Sequence, residues 1–408
     1  MSGVRLFLFD DRHARRWAPF TLTRPAGELL FGCLTLRERA ERCFGTPCEG
    51  HISRSALRGF DEPGAPPTVG LDDIGTHGTR ILLSSRAALR LGTVAVPEHA
   101  SRLIVDGEVA GWVLPDGAAL PSELWVRDPD AATTELGKAL EIPGTLLARP
   151  WDLVAQNADC IRRDVEALWG ESGEVEGVLR VGDGAISLGE GAVIERGVYV
   201  DTRGGPVRLA SGARVEGPAR LIGPLFVGAG SRILGGHVGT SSIGPICLVR
   251  GELADSVLLG YVNKAHDGYI GHALLGRWVN LGAYTTNSDL KNNYRPVKVW
   301  TPDGDLDTGL LKVGCFLGDH VKTGIGTVLN TGTVLGAGSN VFGGLMPPSA
   351  VPPFSWGSGS ELGDHDQAKF LSTAAHAMSR RGQELTPGVR RILEEAWVAT
   401  AGRRAQGT

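Results

Sequence analysis

A polar segment at 263–294 holds the side chains of this chain that can do acid–base and binding chemistry at close spacing. It contains a Lys-Ala-His run that ends at His266, a Tyr-Ile-Gly run that begins at Tyr269, and an amide-rich stretch over 287–294. An imidazole has the ordinary pKa nearest to neutrality, so His266 is the candidate general base. An asparagine amide can orient a reactant without adding charge, which makes Asn280 its candidate partner.

A regular six-residue repeat surrounds this segment on both sides. Aliphatic residues recur at every sixth position, and a small residue falls four places after most of them. The two runs are Leu209, Val215, Leu221, Val227 and Ile233, and then Leu317, Thr323, Leu329, Leu335 and Val341. This hexapeptide period predicts a left-handed parallel β-helix, in which each repeat forms one face of a triangular coil and its aliphatic residue points inward. A glycine-rich β-sandwich is the alternative fold for the same segment.

The remaining patterns divide the chain into four parts. Residues 1–150 mix strand and helix patterns and predict an α/β domain, followed by a helical linker over 151–175. The β-helix is expected over 176–352 and a helical tail over 353–408. Within the first domain we expect strands at 6–9, 80–84 and 102–105, and helices at 29–42 and 85–91. Within the tail we expect helices at 361–379 and 387–400.

Composition excludes several classes of protein. The net charge is −4, with 41 basic and 45 acidic residues well mixed, which argues against a nucleic-acid binder. The N-terminal residues turn charged too early for a secretory signal, and no apolar stretch is long enough to span a membrane. The six cysteines show neither CxxC nor His-paired metal spacing, so we expect buried thiols in a cytoplasmic protein.

Five motifs together resemble one bacterial family. They are Phe-Thr-Leu-Thr-Arg-Pro at 20–25, Pro-Trp-Asp-Leu at 150–153, Asn-Lys-Ala-His-Asp-Gly at 263–268, the stretch at 287–294, and Phe-Ser-Trp-Gly at 354–357. The family is the bifunctional enzyme of UDP-N-acetylglucosamine synthesis, and the closer likeness is to its divergent alternate form. The resemblance covers nearly the whole chain. It implies an N-terminal uridylyltransferase joined to a C-terminal glucosamine-1-phosphate N-acetyltransferase.

The resemblance implies roles for the residues of the polar segment. Acetylation of an amino sugar needs a base that removes a proton from the ammonium, and the family's base and amide match His266 and Asn280. Tyr269 matches a sugar-binding tyrosine. The turn formed by Gly282, Ala283 and Tyr284 is expected to contact acetyl-CoA and to offer a backbone N–H to the oxyanion. Groups for the sugar phosphate are expected from Lys264, Asn287, Lys291, Asn292, Asn293, Tyr294, Arg295 and Lys298.

Two positions depart from the family pattern. Tyr284 stands where the family has a glycine, which either narrows the acetyl-CoA groove or imposes a changed backbone angle. Glu252-Leu253-Ala254-Asp255 stands about where the family has a lysine pair, so phosphate binding must come from elsewhere or be lost. A structural interpretation also stays open, with His266 holding a turn and the stretch at 287–294 forming Asx-turns.

The first α/β segment departs further from the family. The strand at 6–9 is followed by charged residues without the glycine-rich turn that wraps nucleotide phosphates in the standard enzymes. Arg15, Arg16 and Arg24 are the candidate phosphate ligands, and Asp10 and Asp106 are the candidate Mg²⁺ ligands. The same residues are equally consistent with surface ion pairs on an inactive scaffold.

The leading hypothesis is a transferase of nucleotide-sugar synthesis. It would move acetyl from acetyl-CoA to a hexosamine-1-phosphate in the β-helix, and a nucleotidyl group from an NTP to a sugar-1-phosphate in the N-terminal domain with Mg²⁺. The resemblance implies a homotrimer with acetyl-CoA in a groove between subunits. Two alternatives remain: a nucleotidyltransferase whose β-helix serves trimer assembly, and a non-catalytic β-helix scaffold or binding protein.

Overall fold

A mixed sheet forms the centre of the N-terminal domain in the computed structural model, which describes residues 3–131, 137–170 and 175–405. Its seven strands are, in spatial order, Lys138–Glu141, Ser101–Val105, Glu108–Leu114, Thr79–Ser84, Val4–Phe9, Cys48–Ile52 and Thr68–Val69. The strands predicted at 6–9, 80–84 and 102–105 are therefore confirmed. Only Glu108–Leu114 runs antiparallel to its neighbours in this sheet, so the other carboxyl ends share one edge.

Two predictions of local structure in this domain are wrong in part or in full. The helix expected at 29–42 begins only at Leu36, after a short hairpin formed by Leu30–Phe31 and Leu34–Thr35. Its start is fixed by a capping box, in which Thr35 and Glu38 each accept the other's backbone N–H. The helix expected at 85–91 is instead a strand at Ala87–Leu89, paired antiparallel with Gly144–Leu146. Pairing with this distant segment overrides the local preference.

The helices of the described residues lie at the domain edges and in the tail. The α-helices are Leu36–Phe44, Glu123–Arg127, Asp152–Ala155, Asn157–Leu168, Gln367–Ser379, Pro387–Ala399 and Ala401–Ala405. The 3₁₀ turns are Ala14–Arg16, Ala26–Glu28, Ser55–Leu57, Leu71–Ile74 and Pro129–Ala131. None of these described helices is long and apolar enough to cross a membrane.

A parallel β-helix follows, with one strand of each coil on each of three faces, which we name in chain order. Face one contains Leu179–Val181, Tyr199–Asp201, Ala219–Ile222, Gly236–Gly239, Glu252–Ala254 and Tyr269–Gly271; above it, Thr286–Asn287 pairs with Val328–Leu329. Face two contains Ile186–Leu188, Val207–Leu209, Leu225–Val227, Ser242–Ile243, Val257–Leu258, Leu274–Leu275, Phe316–Leu317, Val334–Leu335 and Ala350–Val351. Face three contains Val193–Ile194, Arg214–Val215, Arg232–Ile233, Leu248–Val249, Asn263–Lys264, Asn280–Leu281, Lys322–Thr323, Asn340–Phe342, Ser355–Ser358 and Glu361–Asp364.

The hexapeptide prediction is confirmed by the interior of the coil. The aliphatic residues of both predicted runs are buried in a single apolar column, and the fold class is the predicted α/β region followed by a left-handed parallel β-helix. The tail helix expected at 361–379 is shorter than predicted. Glu361–Asp364 folds back antiparallel on Ser355–Ser358, and the helix starts at Gln367 after Asp366 caps it.

Face two packs against the N-terminal domain, and this packing decides which surfaces stay open. Val257, Leu274 and Phe316 of the coil share an apolar cluster with Trp17 and Phe20. A hairpin of Lys298–Thr301 and Gly304–Asp307, carried on an insertion at 288–315, contributes to the same cluster. The coil residues of this cluster lie in or beside face two or in the insertion. All six cysteines are buried as free thiols.

Candidate functional site

His266 lies at the corner where face three turns into face one. It sits between the strands Asn263–Lys264 and Tyr269–Gly271, and its side chain is exposed. Across the described parts of the chain, no side chain or backbone group forms a hydrogen bond with its ring. An imidazole that is exposed and unpaired is available to take a proton from a bound reactant.

Lys264 is placed inside the coil and holds the backbone of this corner. It occupies the inward position that Val249 fills one coil earlier. Its Nζ donates to the carbonyl oxygens of Arg250 at 2.7 Å and His266 at 3.0 Å, and the residue is 2% exposed. Burial lowers the pKa of its amine to about 8. The side chain that was expected to bind substrate therefore fixes the position of His266.

A row of polar side chains on face three lines a cleft between the coil and the tail. Asn263 donates an amide hydrogen to Oδ1 of Asn280 at 2.7 Å, and Lys322 follows Asn280 in the next coil. These three residues, with His376 and Arg380 from the tail, line a cleft of about 590 Å³ between the coil and the helix Gln367–Ser379. Burial lowers the pKa of the Lys322 amine to about 8. The cleft thus offers amides and cations to an anionic ligand.

Tyr269 does not point freely at a ligand, because its hydroxyl is already engaged. It donates to Oδ2 of Asp289 at 2.6 Å, and Nδ1 of His272 lies 2.7 Å from the same oxygen. The Nε2 atom of His272 faces Asp255 at 3.8 Å. The hydrogen bond from His272, together with the one from Tyr269, holds the pKa of Asp289 below its usual range. This cluster ties the insertion to face one.

The amide-rich stretch divides into a buried start and an exposed remainder. Asn287 is 1% exposed, accepts from the Gly271 N–H at 2.9 Å and donates to the Gly271 carbonyl at 3.0 Å. Lys291 donates to the Pro296 carbonyl, and Asn293 accepts from the Arg295 N–H as in an Asx-turn. Among the residues predicted to bind the sugar phosphate, Asn292, Asn293, Tyr294, Arg295 and Lys298 are exposed.

The turn expected to contact acetyl-CoA has most of its backbone donors engaged. The Gly282 N–H donates to Thr323, and the Tyr284 N–H donates to the Asp267 carbonyl at 2.8 Å. The N–H of Ala283 has no acceptor among the residues that the structure describes. Tyr284 adopts a φ of 63° and is 65% exposed, so the departure from glycine places a tyrosine in the left-handed region.

The N-terminal phosphate candidates are separated by their ion pairs. Arg16 pairs with Asp303 of the insertion. Arg24 is 2% exposed and contacts Glu62 at 2.8 Å and Asp319 at 2.9 Å. Despite burial, these two carboxylates raise the pKa of Arg24. Arg24 is therefore part of the contact between domains.

Arg15 and the two metal candidates do not meet either. Arg15 donates to the backbone carbonyl of Asp10 at 2.8 Å, and the Asp10 side chain accepts from the Ala26 N–H and from Ser53. Asp106 is exposed in a turn three strand positions away across the sheet, which corresponds to about 14 Å. Within residues 3–131, 137–170 and 175–405, no group of three or more His, Cys, Asp or Glu is arranged to hold a metal. Asp10 and Asp106 thus do not fit a shared Mg²⁺ site.

Comparison with known proteins assigns the first part of the chain. Residues 6–172 match the family described as "Sugar nucleotidyl transferase". This match covers less than half of the chain and shows that the segment is similar to sugar nucleotidyltransferases. The "Bifunctional sugar-1-phosphate nucleotidylyltransferase/acetyltransferase" of Sulfurisphaera tokodaii is 30% identical over 95 residues, which are 23% of this chain and 24% of that protein. The "Bifunctional protein GlmU" of Methanococcus maripaludis is 31% identical over 88 residues, which are 22% of this chain and 21% of that protein.

The comparisons support a transferase and leave its reaction open. The chain spans about a quarter of the length of these two curated relatives. Among solved structures, the Arabidopsis UDP-N-acetylglucosamine acyltransferase aligns with a TM-score of 0.30 at 11% identity, over 51% of this chain and 80% of that chain. Over these segments the chain is similar to proteins named as bifunctional sugar-1-phosphate transferases.

Sequence reasoning gave no role in the site to His272, Asp289 or Lys322. A signal for two of them exists, because Asp255, His272 and Asp289 are spaced by 17 residues. Asn263 and Asn280 have the same spacing. One coil in this region has that length, so residues 17 apart lie directly above one another at the same corner or face. Lys322 escapes this rule because the insertion lengthens its coil.

Proposed function

We propose that the β-helix transfers acetyl from acetyl-CoA to the amine of a hexosamine-1-phosphate, and that the N-terminal domain transfers a nucleotidyl group to a sugar-1-phosphate. The single observation that supports the first activity best is the exposed, unpaired imidazole of His266. The buried Lys264 donates to the His266 carbonyl, and Asn263, three residues before His266, lines the cleft on face three. The family match over 6–172 favours the second activity.

In this proposal His266 removes the proton from the sugar ammonium. The free amine attacks the thioester carbonyl, a C–N bond forms, and the C–S bond to coenzyme A breaks. His266 releases this first proton to solvent and then takes the second proton from the nitrogen of the tetrahedral intermediate. It passes that proton to the leaving thiolate, so the products are free coenzyme A, the acetamide and one released proton. The N–H of Ala283 is the donor of its turn that remains available for the oxyanion. Asn280 faces the adjoining cleft and would orient the acyl group or the amine.

His272 is the second imidazole near this surface, and its contacts suit it less well to act as the base. One of its ring nitrogens lies 2.7 Å from Asp289 and the other lies 3.8 Å from Asp255. Both ring nitrogens therefore face carboxylates of the chain itself. His266 has no such neighbour in hydrogen-bond contact within the described chain.

We further propose that the site is completed in a homotrimer. Large apolar side chains are exposed along the corner of His266 and the coils above it: Tyr284 at 65%, Ile325 at 73%, Leu345 at 60% and Met346 at 52%. An apolar row of this size at a coil corner is the kind of surface that a neighbouring copy covers. Light scattering that gives a monomer at micromolar concentration would remove this part of the proposal.

The test is a coupled set of assays on the full chain. Thiol release is measured with glucosamine-1-phosphate and acetyl-CoA, and His266→Ala is expected to lower kcat by about a hundredfold or more. His237→Ala, which removes another exposed imidazole from face one, is the matched control and should retain activity. Unchanged thiol release in His266→Ala would remove the acetyltransferase assignment. Pyrophosphate release with UTP, then dTTP and GTP, tests the N-terminal activity separately.

A further inference from the structure

A cavity of about 270 Å³ lies where the N-terminal domain, the coil and the tail meet. The N-terminal domain lines it with the loop at 60–63, and the tail lines it with Met378 and residues between 383 and 393. The coil contributes corner residues of two neighbouring coils, at 277–278 and 319–320. Because three separate parts of the chain form its walls, the cavity exists only while they are docked together.

Two stacked rings line both this cavity and the cleft that contains Asn280 and Lys322. They belong to Tyr261 and Trp278, and their centroids lie 4.1 Å apart. His320 continues the stack in the cavity, with its ring 6.2 Å from that of Trp278. A ligand in the cavity would therefore contact rings that also line the cleft at Asn280.

The remaining walls of the cavity are largely apolar. Phe60, Ile392 and Leu393 line it from two separate parts of the chain, and Val389 lies one helical turn before Leu393. An apolar cavity of about 150 Å³ is large enough to bind benzene. A cavity of about 270 Å³ with aromatic and aliphatic walls can therefore hold a planar body of two fused rings.

The charged groups inside the cavity balance one another. Arg24 contacts the carboxylates of Glu62 and Asp319, and Arg277 also pairs with Glu62. Burial lowers the pKa of the His320 imidazole to about 3, so this ring adds no positive charge at neutral pH. Two guanidiniums thus face two carboxylates, and the interior is neutral.

The rim of the cavity is negative. Asp61 of the N-terminal domain and Glu384 of the tail both line it and are exposed, and neither has an ion pair with any residue that the structure describes. The tail cations nearby are directed elsewhere. Arg391 pairs with Glu395, and Arg381 lines the cleft at Asn280 instead. Carboxylates above a neutral interior favour a ligand with a positive charge at one end.

We propose that this cavity binds a small organic cation with a planar apolar body, an aromatic amine of about two fused rings. The rings of the ligand would lie against Tyr261 and Trp278 and among the aliphatic side chains of the tail. Its ammonium group would face Asp61 and Glu384 at the rim. The site depends on neither of the two transfer reactions proposed above.

The binding test uses calorimetry on the full chain with tryptamine, indole and indole-3-acetate as separate probes, because they share a two-ring body and differ in charge. Tryptamine is expected to bind with a Kd below about 1 mM and at least about fivefold more tightly than indole-3-acetate. Indole should have an affinity between the two. Any other order of affinity, or no binding of tryptamine up to about 1 mM, would overturn the proposal.

A variant that fills the cavity shows whether the probe binds there. Val389→Trp places an indole ring in the cavity and is expected to abolish tryptamine binding. Val398→Trp is the matched control, because it makes the same change at a position of the same helix that is 64% exposed. Unchanged binding in Val389→Trp, or equal loss in both variants, would show that tryptamine binds elsewhere and would overturn the proposal.

A change at the rim decides the question if Val389→Trp does not fold, since Glu384 is exposed. Glu384→Gln should weaken tryptamine binding by about threefold and leave indole binding unchanged. Glu190→Gln, which removes an exposed carboxylate from the first coils, is the control and should change neither affinity. Tryptamine binding that is unaffected by Glu384→Gln, or that falls equally in Glu190→Gln, would overturn the placement of the cation.

Discussion

Replacing Lys264 with methionine tests the charge state that the coil imposes on this amine. Burial lowers its pKa from 10.5 to about 8, and the charges of Asp267 and Glu252 only partly oppose this. Between pH 8 and 10.5 the unfolded chain therefore binds a proton that the folded chain does not. Folding stability must rise with pH across this window, and Lys264→Met removes that dependence.

The magnitude follows from the size of the shift and from the hydrogen bonds. Each pKa unit corresponds to about 1.4 kcal/mol, so a change from 10.5 to about 8 corresponds to about 3 kcal/mol. The neutral amine still donates to the carbonyls of Arg250 and His266, and each such bond contributes about 1 kcal/mol. At pH 7 the two effects nearly cancel, and the variant should be about as stable as the unchanged protein. At pH 10.5 it should be less stable by about 2–3 kcal/mol.

The assay is urea unfolding of both proteins at several values of pH from 7 to 10.5. The difference between the two free energies of unfolding is the measured quantity, because other titrating groups are common to both proteins and cancel. Lys298→Met, which removes an exposed lysine, controls for the general effect of losing a positive charge. A difference that stays constant from pH 7 to 10.5 would refute the reasoning, since Lys264 would then not be a desolvated amine.

The other predictions concern the domain contact, the corner and the aromatic stack. Glu62→Gln leaves the buried Arg24 and the half-buried Arg277 short of a carboxylate, and urea unfolding should show that the free energy of unfolding falls by about 3 kcal/mol; a fall below about 1 kcal/mol would contradict this. Tyr284 has a φ of 63°, which glycine adopts more readily than alanine. In the same measurement, Tyr284→Gly should therefore be about 1 kcal/mol more stable than Tyr284→Ala. The opposite order would exclude a left-handed backbone conformation at this position. Burial lowers the pKa of His320 to about 3, so the unfolded chain takes up a proton below pH 6.5 that the folded chain does not. Between pH 6.5 and 5 the free energy of unfolding of the unchanged protein should therefore fall by about 2 kcal/mol more than that of His320→Asn. Equal falls in the two proteins would argue against a buried ring.

The repeat could be predicted because one physical requirement recurs in every coil. Each face must bury an aliphatic side chain in the narrow interior, so Leu209, Leu221 and Leu335 have the same environment and the same spacing. The strand at Ala87–Leu89 could not be predicted in this way. Its partner, Gly144–Leu146, lies far along the chain, and nothing local favours that pairing over a helix.

The site was predictable in position and only partly in role. His266 was identified as an available imidazole, and the structure leaves it exposed. Lys264 and Asn287 were assigned to substrate, yet both occupy inward positions of the coil, where Val249 and Leu329 stand in adjoining coils. The six-residue repeat is interrupted in the polar segment, so the sequence pattern does not show whether a polar residue points into the coil or out of it. Counting 17 residues from a known inward position, which is the length of one coil here, identifies the inward positions inside the polar segment.

Buried cations in this chain differ in what balances their charge. Arg24, Arg39 and Arg86 each contact a carboxylate within 3 Å and join separate segments of the fold. Lys264, Lys322 and Arg54 have no such ion pair with any residue that the structure describes, and burial is the main cause that lowers the pKa of each. Desolvating a cation without a carboxylate partner lowers the stability of the fold. Lys322 lines a cleft, where an anionic ligand can supply the missing charge. Lys264 recovers part of its cost through two carbonyls, one of which belongs to His266, so its burial is coupled to the position of the imidazole.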